Sequence, residues 1–147
     1  MNKQALFIQA CSNGDDALVR GLINDPNISP NVANGWLLRD ACSKGNYDIV
    51  EILLEDGRIP FHRSMFTNAC GSGKVKLVEK LLKIVIPTVD DINEVTNLEI
   101  YKLFLRDPLF HCPLDYTFCV EDQELHDLYI ENLYRVDGFY YTNGLLD

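Results

Sequence analysis

The sequence predicts an all-α protein, a solenoid of about four stacked helix–turn–helix units closed by a C-terminal capping segment. Three observations predict it. Within Trp36–Gly57 two short stretches are apolar at helical spacing: Leu37, Leu38, Ala41 and Cys42, then Ile49, Val50, Leu53 and Leu54. Lys44-Gly45-Asn46 separates them, and Gly45 and Gly57 suit the left-handed conformation that ends a helix. The same spelling recurs: Ala10-Cys11-Ser12-Asn13-Gly14 returns 31 residues on as Ala41-Cys42-Ser43-Lys44-Gly45, and 28 further on as Ala69-Cys70-Gly71-Ser72-Gly73. Helices of about ten residues are marginal alone in water. A unit of this size makes sense only if it buries its apolar face against copies of itself.

The apolar flanks keep one register. Leu6-Phe7, Leu37-Leu38 and Met65-Phe66 open the first helices. Leu18-Val19, Ile49-Val50 and Leu77-Val78 begin the second, and Leu22-Ile23, Leu53-Leu54 and Leu81-Leu82 end them. In the first unit, residues 4–35, helices are expected over 4–12 and 15–24. They stop at Asp25 because a residue before proline avoids the α region. Asn27–Gly35 carries Pro30, Asn31, Asn34 and Gly35, which suits a projecting turn. The second unit, 36–63, ends in a connecting finger from Arg58 to Arg63. In the third, 64–87, Ser64 is the expected N-cap and Pro87 the expected end of the second helix. The fourth, 88–109, is degraded. Ile92–Thr96 stands where the small pair belongs, and Ile100, Tyr101, Phe104, Leu105 and Asp107-Pro108 mirror Leu18, Val19, Leu22, Ile23 and Asp25-Pro26.

These units resemble the ankyrin repeat family. Trp36-Leu37-Leu38-Arg39-Asp40-Ala41-Cys42, the turn at Gly45, and Asp48-Ile49-Val50-Glu51-Ile52-Leu53-Leu54-Glu55-Asp56-Gly57 follow its pattern of a small pair, a glycine turn and a helix closing on I-V-x-x-L-L. The resemblance covers residues 4 to about 86 and extends less closely to about 108. The family's T-P-L-H opening reads Ala5-Leu6-Phe7-Ile8, Trp36-Leu37-Leu38-Arg39 and Ser64-Met65-Phe66-Thr67, so only the apolar third position is kept. The divergent spelling is similar to repeats encoded by large DNA viruses and amoeba-associated organisms.

Residues 110–147 differ in character. They hold eight acidic residues against one base, Arg135, and so carry −7 of the chain's −9, together with eight aromatics. Leu125, Leu128, Tyr129 and Leu133 space as a helix with Glu121 and Asp122 at its start. Asp137-Gly138 with Phe139–Thr142 suits a turn and short strand. A cap over the last apolar face and an acidic–aromatic binding surface are both open for this segment. Its aromatics also suggest a homodimer.

The net charge of −9 argues against attraction to nucleic acid or anionic membrane. Five cysteines, an odd count, with Gln4 and Gln9 interrupting any apolar start, point to a reducing cytoplasmic setting. Cys11, Cys42 and Cys70 share one repeat position, where a thiol packs as a small apolar residue. Catalytic, cofactor and metal sites are not expected. Gly71-Ser72-Gly73-Lys74 lacks both the earlier glycine and the hydroxyl of a phosphate loop, having Asn68 and Val75 there. His111, Cys112, Cys119 and His126 are spaced by one, seven and seven residues, unlike zinc ligands. Asp90-Asp91 and Glu121-Asp122 read as solvated helix starts.

The expected function is therefore non-enzymatic binding of another protein. From the family resemblance, contacts fall on the finger residues Asn31, Asn34, Arg58, Phe61, His62 and Arg63, and on Trp36, Arg39, Asp40, Thr67 and Asn68 of the first helices. Two readings of Trp36 stand, a partner contact or packing against the neighbouring finger. The alternative function is a viral or pathogen effector that intercepts a host factor, by acidic mimicry of nucleic acid in one version.

Overall fold

The computed structural model describes residues 2–110 and 122–136, the last four by backbone alone. Every regular element among them is an α-helix: α1 Lys3–Asn13, α2 Asp16–Leu22, α3 Trp36–Lys44, α4 Tyr47–Asp56, α5 Arg63–Gly71, α6 Val75–Leu81, α7 Val89–Asn93, α8 Leu98–Arg106 and α9 Gln123–Val136. The strand expected near 139–142 lies outside the described residues, as do His111, Cys112 and Cys119.

Turn chemistry folds the helices into pairs. α1 ends at Gly14 and α3 at Gly45, with φ of 75° and 72°. Each glycine N–H donates to the carbonyls of the alanine and cysteine before it. The next N–H, of Asp15 or Asn46, reaches the same alanine carbonyl at 2.9 Å. A β-carbon at Gly45 would sit 2.2 Å from Lys74 Cγ, so both the positive φ and the space demand glycine. α5 closes differently. The Ala69 carbonyl takes the Ser72 N–H at 3.1 Å and its Oγ at 2.6 Å, before Gly73 turns at φ 72°.

The pairs pack in order. α1 lies on α3, α3 on α5 and α5 on α7, while α2 lies on α4 and α6 on α8. Ala10, Ala41 and Ala69 are all buried, at 2%, 1% and 0% exposure, with Cys11, Cys42 and Cys70 beside them in one core. Small side chains there let the first helices approach. Around them Leu37, Leu38, Leu53, Leu77 and Leu81 are buried, each contributing about 1.5–3 kcal/mol over exposure. The core continues through Phe66, stacked on Phe104 with centroids 5.9 Å apart, to Phe110 edge-on to Phe104 at 5.5 Å. α9 lies on α8 and buries Leu125 there.

A second device recurs at the far ends of the pairs. Asp25 Oδ1 accepts the Asn27 N–H at 2.9 Å, and Asp107 Oδ1 accepts the Leu109 N–H at 2.9 Å. Asp56 Oδ2 meets the Arg58 N–H at 3.4 Å. Side chains that fold their own chain in this way favour tight turns. Three residues after each aspartate an apolar side chain turns inward: Ile28, Ile59 and Phe110. In the third unit Ile84 takes the aspartate's place, and the buried Pro87 takes the apolar one.

Three local expectations are corrected. α6 stops at Leu81 rather than at Pro87, and Ile84 and Val85 both donate to the Leu81 carbonyl at 3.0 Å in a tight turn. The β-branched run Ile84-Val85-Ile86 resists helix, and Pro87 holds Ile86 out of the α region. The α5 N-cap is His62 rather than Ser64, with the His62 carbonyl accepting the Met65 N–H at 2.9 Å. Asp90 and Asp91 are not a solvated pair: Asp90 is exposed, but Asp91 is fully buried.

Candidate partner-binding surface

The chain enters α3 through three consecutive left-handed residues, Ala33, Asn34 and Gly35, with φ of 47°, 58° and 82°. The Trp36 N–H closes this turn on the Val32 carbonyl at 3.2 Å. Asparagine and glycine tolerate the conformation, whereas an alanine costs about 1–2 kcal/mol. A β-carbon on Gly35 would lie 3.2 Å from Ile59 Cγ2 and 3.3 Å from Met65 Cε, so the next finger and α5 close over the turn. The result places Trp36 first in α3 with 41% of the residue exposed. One turn on, Arg39 Nη2 donates to the Asn34 carbonyl at 3.3 Å and meets no carboxylate among the described residues. Asp40 is held by Lys44 at 2.8 Å.

The finger residues divide by employment. Arg58 braces the fold: its Nη1 and Nη2 donate to the Ile28 and Ile23 carbonyls at 3.0 and 2.6 Å, and its Nε to Asp56 at 2.8 Å. That guanidinium holds the Asp56 carboxyl below its usual range. Arg63 is likewise occupied, bonded to buried Asp91 and to Thr88 Oγ1 at 3.0 Å. Thr67 Oγ1 donates to Asp91 at 2.8 Å. Phe61 is half-buried against the core, and Asn68 is half-buried. Asn31, Asn34 and Trp36 are the exposed members whose side chains make no such tie, while exposed His62 caps α5.

Sequence reasoning passed over the polar groups that hold the C-terminal end. Asp91 also accepts the Thr88 N–H at 2.8 Å, at the start of α7. The signal was present as Thr88-Val89-Asp90-Asp91, a hydroxyl followed three residues later by an acid. Lys102, 5% exposed, meets Glu99 at 3.2 Å, Asp122 at 3.4 Å and Glu124 at 2.9 Å. The Glu124 hydrogen bond raises Lys102 well above the lysine range and lowers Glu124 in turn. Buried Asn132 donates to the Leu105 and Phe110 carbonyls at 3.1 Å each. No helical periodicity in the sequence marks Lys102 or Asn132. With Glu124 also bonded to Arg106 at 2.8 Å, exposed Glu124 and half-buried Asp122 tie the start of α9 to α8.

Desolvation pushes the Cys11 and Cys42 thiols up to about 12 and raises Cys70 as well, so none is a thiolate at neutral pH. Gly71–Lys74 forms the turn between α5 and α6. Among the described residues no group of three or more His, Cys, Asp or Glu side chains could hold a metal ion, and no helix is long and apolar enough to cross a membrane. No protein-family model matches the chain, and no curated protein or solved structure is significantly similar to it.

Proposed function

We propose that the chain is an ankyrin-type stack of helix–turn–helix units that binds another protein without catalysing a reaction. In this reading the first helices and the loops before them form the contact face, α9 caps the last unit, and Trp36 and Arg39 anchor the partner. The observation that carries it is Trp36. A large aromatic ring opens α3, 41% exposed, on a turn of three left-handed residues. Exposed aromatic and arginine side chains dominate the binding energy of protein interfaces. Arg39 supports the choice, being fixed in orientation by the Asn34 carbonyl while its charge has no carboxylate among the described residues.

The test is affinity capture from cell extract with the intact chain and with the Trp36→Ala, Arg39→Ala double variant, alongside thermal melting. The expected outcome is loss of the captured protein with stability changed by no more than about 0.5 kcal/mol, as for other surface substitutions. Unchanged capture would refute the reading, and so would unfolding of the variant, which would make Trp36 a packing residue.

A further inference from the structure

On the opposite side of the helix pairs, α4 and α6 approach each other less closely than α2 approaches α4. They meet through long side chains: Lys80 Nζ reaches Glu51 at 3.0 Å, and Lys76 and Lys80 lie 4.6 and 5.3 Å from the Tyr47 ring centroid. Between the helices runs a groove of ≈ 400 Å³ lined by Tyr47, Leu54, Glu55, Lys80, Lys83 and Ile84.

Two independent features set this groove apart. The first is charge. Among the described residues, every lysine other than Lys74, Lys76 and Lys83 meets a carboxylate within 4.0 Å. Lys76 lies in α6 and Lys74 and Lys83 just before and after it, in a chain with net charge −9. Lys74 shares a separate pocket with Asp48, and Glu51 is engaged by Lys80, which leaves Glu55 as the one carboxylate lining the groove, against Lys83 within it and Lys76 over its Tyr47 ring. The second is Ile84. The three other units carry a turn-forming aspartate at this position, whereas Ile84 is 60% exposed and Ile86, two residues on, is 54% exposed. The third unit has thus exchanged a carboxylate that folds its own loop for an apolar side chain left outside, next to unpaired cations.

We propose that this groove docks an acidic peptide segment of a partner protein, one that carries a large aliphatic or aromatic side chain among its carboxylates. The apolar side chain lies against Leu54 and Ile84, and the carboxylates meet Lys76 and Lys83. A nucleic acid backbone would satisfy the lysines but leave Ile84, Ile86 and Leu54 in water, so the mixed lining favours a peptide. This surface is separate from the Trp36 face.

The probe is a short fluorescein-labelled peptide of glutamates around a central Leu-Phe, titrated with the full chain by fluorescence anisotropy. Saturable binding that weakens as salt rises is expected. Lys76→Glu with Lys83→Glu weakens it at least about tenfold, and so does Ile84→Asp, which installs the residue the other units already use there and so keeps the fold. Polyglutamate without Leu-Phe binds about tenfold more weakly than the probe. Trp36→Ala with Arg39→Ala leaves the titration unchanged, which separates this result from the proposed function. The proposal is overturned by affinity indifferent to the α6 and Ile84 variants, or by a single-stranded oligonucleotide that binds as tightly as the peptide. Carboxyl–amine cross-links from Lys76 or Lys83 to the chain's own residues 110–147 in dilute protein would also overturn it, by showing the groove filled from within.

Discussion

The first three helix pairs, α1–α6, and the end formed by α7–α9 are held by different forces. In the first region, glycine turns and alanine–cysteine pairs repeat in register, and the interior is apolar. In the second, α7 is a five-residue helix whose Asp91 is buried under Arg63, Thr67 and Thr88, and α9 is fastened by Lys102 and Asn132. The first region uses the same glycine turn and small pair more than once. At the C-terminal end, specific polar bonds hold the helices instead. A buried carboxylate or ammonium is tolerated there because each has several partners.

The contrast makes its largest prediction at Asp91. Asp91→Ala removes the bonds from Arg63, Thr67 and Thr88 while the half-exposed Arg63 stays solvated, and denaturant titration should show a loss of about 2–3 kcal/mol. Ala41→Leu tests the other region by forcing a larger side chain where α3 meets its neighbours. Calorimetry should show a loss of about 1–3 kcal/mol without change of helix content. Gly45→Ala places a β-carbon at positive φ against Lys74, with an expected loss of about 1–2 kcal/mol in the same measurement. The subtlest effect is local and pH-dependent. The Lys102 hydrogen bond lowers Glu124, and Asp122 is lowered first by the Leu125 N–H and then by Lys102. A depressed folded pKa gives stability that is complete above the ordinary carboxylate value and lost as pH falls through the depressed one. Below about pH 4, therefore, amide exchange should quicken in α9 before it does in α3, whereas α4 carries its own lowered carboxyl at Asp56. Equal quickening in both regions would erase the distinction.

The same contrast explains what the sequence disclosed. Periodicity located the paired helices and the glycine turns to within a few residues, because burying Ala41, Cys42, Ile49 and Val50 imposes a spacing on the letters. It missed Lys102 and Asn132 because one polar residue on a helix reads as surface unless its distant partners, such as Glu124 for Lys102 and the Leu105 carbonyl for Asn132, are known. Asp91 had a local signature that was attributed to solvent. Asp25-Pro26 reads in the sequence as a helix stop, but the inward-turning Ile28, Ile59 and Phe110 become visible only once the loops are in place. At the candidate surface, residue types alone could not separate Arg58 and Arg63, which brace the fold, from Trp36, which is left outside.

Arg58 also dictates an order of assembly. Its guanidinium supplies the donors for the Ile23 and Ile28 carbonyls, which have no such donor until residue 58 has arrived. During synthesis, when the amino terminus emerges first, Lys3 and Gln4 hold the loop after α2 through Asp25 and Ser29, and Arg58 completes it later. The first section of the chain is thus finished by a residue belonging to the section that follows.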